Sequence, residues 1–170
     1  MKNEELPIIG SNTLVSICGR KNVPAKIDTG ADSSSIWVSH LRIDDDGVLK
    51  FRLFGEKSPF YSGKVIKRKN YKVAVVRSAT GEEQIRYRAY FPIKIGNKKI
   101  KALFNLSDRS HNNFPILIGR RSLSGKFLVD VSKMDIPRPP KIARTKPLTE
   151  ELKKDPKKFY QKYSKKGVNK

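Results

Sequence analysis

A carboxylate set on a tight turn behind a short apolar segment is the first chemistry this chain offers. Asp28-Thr29-Gly30 follows Ala25-Lys26-Ile27 and continues through Ala31-Asp32 into Ser33-Ser34-Ser35-Ile36. Hydrolysing a peptide without a metal or a covalent intermediate needs an activated water. Two carboxylates about 3 Å apart can activate it, because like charges that close cannot both ionise. One keeps a proton and acts as acid, the other takes a proton from water and acts as base, and the two pKa values belong to the pair. In that chemistry Thr29 would lock the carboxylate loop through its hydroxyl. Gly30 would let the backbone approach substrate closely and take an unusual φ, and Ala31 would leave space.

The elements that must position this turn read as short strands. Segments 13–19 and 23–28 flank a turn at 19–22, and the second leads into the motif. Segment 49–54 alternates. Segments 71–77 and 84–90 flank Ser78-Ala79-Thr80-Gly81-Glu82, a Gly-containing hairpin turn, and 91–95 and 99–106 flank Gly96-Asn97. The apolar run Phe114-Pro115-Ile116-Leu117-Ile118-Gly119-Arg120 holds a short buried strand. Arg120-Arg121-Ser122-Leu123 begins a short helix, and 127–131 forms a last strand. Short strands with regular Gly turns predict an all-β barrel or sandwich.

Composition sets the partners. The chain has 170 residues and a formal net charge of +21, with a pI near 10.2. That is room for one domain with a core and a tail, and the charge favours polyanionic partners. The charge is uneven: residues 133–170 hold 13 Lys+Arg against 4 Asp+Glu. The tail opens with Ile136-Pro137-Arg138-Pro139-Pro140, an extended linker, and Asp155-Pro156 supplies a helix N-cap followed by proline at the first helical position. Residues 157–166 then predict a short basic helix carrying Phe159, Tyr160 and Tyr163, marginal in isolation. The expected division is 1–133 for the β domain and 134–170 for a basic tail, part disordered and part short helix. Cys18 is the single cysteine and reads as a small buried strand residue. No apolar run reaches membrane-spanning length, and the N-terminus lacks a signal-peptide core, which makes the cytoplasm the expected compartment.

The motif and the later Ile118-Gly119, about ninety residues on, together resemble one protomer of a retropepsin-like aspartic peptidase. More finely, Ala25 to Ala31, Arg86-Tyr87, Leu106-Ser107-Asp108-Arg109, Leu117 to Arg121 and Phe127-Leu128-Val129-Asp130 are similar to the bacterial and archaeal retropepsin-like proteins often labelled ATP-dependent zinc proteases. The resemblance spans about residues 8–133. It implies an acid-protease barrel with one lobe per chain. A homodimer would bring two copies of Asp28 together, because the chain holds a single Asp-Thr-Gly. It implies an Asp32–Arg120 ion pair bracing the loop, with Ile118 and Gly119 as the closing motif. The hairpin tip at Ser78, Ala79, Thr80, Gly81 and Glu82 stands where a flap would cover substrate. The family usually carries Arg where this chain has Asp32. Some members are thought to trim glutamate tails added by ATP-grasp ligases, so an acidic, polyglutamate-type substrate is expected, steered by the positive charge.

Neither zinc nor ATP is encoded in recognisable form. His40 and His111 form no metal-ligand motif, and no phosphate-binding glycine loop occurs. No cofactor and no metal site are expected. Asp44-Asp45-Asp46-Gly47 reads as a solvated turn, since calcium-loop spacing is missing. Two other readings stay open. One is a weakly active or inactive fold that binds RNA or the ribosome through cations interleaved with aromatics in the tail. The other is a metallopeptidase, which would be chelator-sensitive.

Overall fold

The computed structural model describes residues 5–77, 81–137 and 145–164. In chain order the strands are β1 (Ile8–Ile9), β2 (Asn12–Ile17), β3 (Arg20–Asp28), β4 (Ser34–Ile43), β5 (Leu49–Leu53), β6 (Val65–Arg68), β7 (Lys72–Arg77), β8 (Glu83–Ile95), β9 (Lys98–Ser107), β10 (Ile116–Gly119) and β11 (Leu128–Val129). The helices are α1 (Arg120–Leu123), α2 (Thr145–Lys154) and α3 (Pro156–Ser164). Backbone contacts divide the chain into two compact units, Met1–Pro137 and Arg138–Lys170.

The first unit is a closed six-stranded barrel, as expected of a retropepsin-like lobe. Its ring runs β3–β2–β8–β9–β4–β10 and returns to β3. Closure depends on β10, which pairs in parallel with β3 on one side, with Gly119 opposite Asp28, and antiparallel with β4 on the other. β5 and β6 extend the sheet beyond β4, and β7 pairs with the first half of β8. Period-2 alternation builds the interior. Ala89, Phe91, Ile93 and Ile95 on β8 are buried, as are Ile100, Ala102, Phe104 and Leu106 on β9. Phe91 touches Phe51 and Phe104 edge-on, with centroids 6.2 and 5.9 Å away. Each such ring contributes about 1.5–3 kcal/mol by leaving water.

Several features of this unit differ from the sequence reading, among them the short strands β1 and β6, which were not expected. β4 was not among the expected strands, and it opens on the serines 34 and 35. Inside the barrel these hydroxyls are satisfied by others: Ser34 Oγ meets Ser122 Oγ at 2.7 Å, and Ser35 Oγ meets Ser107 Oγ at 2.7 Å. The two predicted strands 84–90 and 91–95 are one continuous β8 through Pro92. Pro92 lies between the β7 and β2 pairings, where that edge of β8 bonds no strand, so its missing N–H costs no ladder bond. Cys18 is exposed and belongs to a turn. Ile17 pairs directly with Arg20, so the hairpin loop is the two residues Cys18-Gly19, at φ 48° and 76°. A two-residue turn of type I′ has positive φ at both positions, and the register imposes it on Cys18. Finally, 127–131 contributes only the two residues of β11, paired in parallel with β1. The chain after it runs back along β1 and β2. Ser11 N–H donates to Lys133 O, Gly10 N–H to Asp135 Oδ1, and Asn12 exchanges two bonds with the Ile136 backbone.

The second unit holds two helices where one was expected. α3 starts as read, with Asp155 Oδ1 accepting the Lys158 N–H at 2.9 Å. α2 was missed; Leu148 and Leu152, four apart, were its signal. Phe159 and Tyr163 stack at 4.5 Å, and Glu151 accepts from Lys162 Nζ and from the Tyr163 hydroxyl. No helix among the described residues is long and apolar enough to cross a membrane.

Two outcomes follow from these contacts. A Cβ at Gly119 would stand 2.6 Å from the Ser33 carbonyl carbon and oxygen and 2.8 Å from Ala31 O. Gly119→Ala therefore should lower unfolding free energy by about 1–3 kcal/mol, read from the urea midpoint. In the tail, the bond from Lys162 holds the Glu151 carboxyl below the usual range, and the same bond raises Lys162. A depressed carboxylate stabilises above its unfolded value of 4.5 and loses that effect as pH falls through the folded one. The Tyr163 ring resonances of the wild type should move toward those of Glu151→Gln as pH drops below 4.5, while the variant changes little.

Candidate active site

β3 ends at Asp28, and the loop 29–33 turns back beneath the end of β10. The Asp28 Oδ1 accepts two backbone N–H bonds, from Gly30 and from Ala31, each at 3.2 Å. The Ala31 N–H also lies 3.3 Å from Asp28 O, which closes the turn. Oδ2 has Lys26 Nζ at a loose 3.9 Å. One oxygen is thus fixed by the backbone, and the half-buried carboxylate keeps its other face open. Gly30 is not among the residues with positive φ, contrary to the expected unusual conformation, and a Cβ there would meet Asp28 Oδ1 at an ordinary 3.5 Å. A close backbone approach within the chain falls at Gly119.

That approach is what holds the loop. Arg120 N–H donates to Ala31 O at 2.8 Å, Arg121 N–H to Asp32 O at 3.3 Å, and Gly119 N–H to Ser34 Oγ at 3.1 Å. Ile118 is fully buried on β10 beside Ile27. The structure also brings the Arg120 guanidinium onto Asp32 Oδ1, with both side chains more than half exposed. Such a pair contributes little energy in water, so the backbone bonds carry the bracing. Thr29 is exposed at the rim of an open depression of about 450 Å³, whose floor is Leu123, Phe127, Leu128 and Val129.

The β7–β8 hairpin reaches the loop through β8. Ser78, Ala79 and Thr80 lie outside the described residues; Gly81 has φ 83°, and Arg77 pairs with Glu83 at 2.8 Å across the neck of the turn. One face of the hairpin exposes Val73, Val75 and Ile85. The opposite face carries Arg86 and Arg88. Arg88 donates to Asn105 Oδ1 at 2.6 Å and to Ser33 Oγ at 3.1 Å, which ties the hairpin to the active-site loop. Arg109, on the loop after β9, donates to Phe114 O at 3.1 Å. Its pKa is lowered chiefly by burial and then by the nearby Arg86, while the Asp28 carboxylate pulls it up. It stays cationic at any ordinary pH. Asp28 therefore has two cations in its neighbourhood, Lys26 and Arg109.

Sequence reasoning quoted Arg86 and Arg109 only as marks of resemblance and gave Arg88 no part. The signal available was Arg at 86 and 88, two apart on one strand face. Elsewhere, the expected turn at Asp44 is present: its carboxylate accepts the Val48 N–H and meets Lys50 Nζ at 2.6 Å, which lowers its pKa. Trp37 packs against the core with Gly55 under its ring.

With this geometry in hand, three likenesses fall into place. The chain is 29% identical over 134 residues to a probable alpha-L-glutamate ligase of Shewanella pealeana (strain ATCC 700345 / ANG-SQ1), covering 74% of this chain. The chain spans only 29% of that relative's length. In three dimensions it is similar to the protein Lpg0085, of unknown function, from Legionella pneumophila subsp. pneumophila str. Philadelphia 1. The TM-score is 0.56 at 23% identity, over 75% of this chain and 95% of that one, a likeness of fold. Residues 8–140 match the family described as retropepsin-like aspartic endopeptidase RimB. That match takes in β1 through β11 with the Asp28 loop, and on it the chain belongs to the RimB-like family of retropepsin-like aspartic endopeptidases.

Proposed function

We propose that this chain is an aspartic endopeptidase that works as a homodimer on acidic, polyglutamate-type protein tails. The observation that carries the reading is the Asp28 carboxylate: one oxygen pinned by two backbone N–H groups, the other face open, on a loop locked by β10. Two such carboxylates meeting across a two-fold axis would share one proton. The shared proton makes one Asp28 the acid that protonates the leaving amine. The other is the base that takes a proton from the attacking water. Within each protomer Thr29 and Gly30 shape the loop, and Gly119 with Arg120 braces it.

Two features support the finer points. The depression beside Thr29 suits an isologous contact, since a second copy would bury the exposed Leu128 next to the two carboxylates. Arg109, near Asp28, and Arg86, near Arg109, would pair with side-chain carboxylates of a substrate lying across the site. The relative named as a probable alpha-L-glutamate ligase, in which a region like this chain forms part of a longer protein, fits a substrate to which glutamates have been added. The flap role rests on the β7–β8 hairpin, whose tip would close over the bound peptide. We assign the reaction no metal: the carboxylates supply both acid and base.

Glutamate-tailed peptides should be cleaved by the wild type with no effect of chelator. Asp28→Asn should lose turnover on the order of a thousandfold or more with its unfolding midpoint unchanged. Cleavage that survives in Asp28→Asn, or that chelator abolishes, would sink the reading. Arg86→Gln should raise KM for glutamate-tailed peptides about tenfold while sparing a neutral peptide. Equal losses on both peptides would remove Arg86 from substrate recognition.

A further inference from the structure

The end of the barrel opposite Asp28 carries a second charged surface that the reaction does not use. β3 runs from Arg20 to Asp28, so the Cys18-Gly19 turn lies roughly 26 Å from the carboxylate at about 3.3 Å per residue. Two open depressions adjoin at that turn and share Cys18 and Arg20. One, of about 370 Å³, is lined on the cationic side by Arg20, Lys64, Lys67 and Arg68. The other, of about 580 Å³, adds Lys21, Lys94 and Lys99. No carboxylate lines either depression. Among the described residues none of these seven cations forms an ion pair. They come from four separate strands or turns, so the fold gathers them from distant parts of the chain.

Like charges packed without counter-charges repel one another, and that repulsion is relieved when a polyanion binds and releases its condensed ions. The lining also says which polyanion. No aromatic side chain lines either depression, so bases have nothing to stack on and single-stranded binding is not favoured. Lysines and arginines alone match the backbone-positioning contacts of a duplex. Arg68 is preorganised for this, its guanidinium held over the Phe91 ring at 5.2 Å and bonded to Lys67 O at 3.1 Å. We propose that this distal face is a docking surface for the phosphate backbone of a nucleic-acid duplex. The surface is separate from the Asp28 site and does not depend on the basic tail.

The chain's single cysteine stands between the two depressions and reports on both. Duplexes of about 16 base pairs, one RNA and one DNA, would be titrated onto the full chain while Cys18 alkylation is followed, with poly-L-glutamate of matched charge as the other arm. Either duplex, and not poly-L-glutamate, should slow alkylation in the wild type, in Asp28→Asn and in the tail variant Lys157→Glu/Lys158→Glu. The two duplex arms tell RNA from DNA. Lys64, Lys67, Lys94 and Lys99 are all exposed. Replacing the four by Glu should weaken duplex binding at least about tenfold and flatten the salt slope by roughly three to four units. Unchanged alkylation at saturating duplex would overturn the proposal. So would equal protection by poly-L-glutamate, which makes an acidic polypeptide the occupant, or duplex affinity lost only in the tail variant. If the fourfold variant unfolds, wild-type Cys18 protection decides.

Discussion

One short strand carries most of the architecture. β10 lies between β3 and β4 and bonds to both, and without it the sheet would remain open along the edge that bears Asp28. The same four residues end in Gly119, whose missing side chain lets β10 come within contact of the Ser33 and Ala31 backbone. Barrel closure and active-site geometry are therefore one constraint. The bonds from Gly119, Arg120 and Arg121 that complete the ring also fix the loop on which the carboxylate sits. A change that loosened β10 would cost stability and displace Asp28 together.

Electrostatics is layered on that frame in two places. On the Asp28 side, Arg88 bonds the loop at Ser33, and Arg109 lies near both Arg86 and Asp28. At the far end another set of cations gathers around the Cys18-Gly19 turn with no carboxylate among them. The net charge of +21 is thus divided between faces of different chemistry, and its total alone could not have separated them.

What was legible in the sequence follows from how local each signal is. Asp28-Thr29-Gly30, the apolar run 116–118 and the Gly turns are local, so the barrel class and the loop could be read directly. Cys18 was misread because register decides its setting: it is a turn residue only because Ile17 pairs with Arg20, and the same kind of constraint lets β8 run on through Pro92, where two partner strands stop short. β4 was hidden for a related reason. Its serines look like loop until Ser107 and Ser122 arrive from elsewhere to satisfy them. Arg109 lies near both Arg86 and Asp28, which joins three segments distant in the chain, and no spacing rule reports it.

The central claim is that two Asp28 carboxylates from different chains form one catalytic pair. Wild-type protein equilibrated with rising amounts of Asp28→Asn tests it directly, with cleavage of a glutamate-tailed peptide measured at constant wild-type concentration. If the pair spans the dimer, mixed dimers are dead, and activity falls steadily as variant is added. Activity that stays constant under conditions where the subunits exchange would mean that each chain works alone, and would contradict the account.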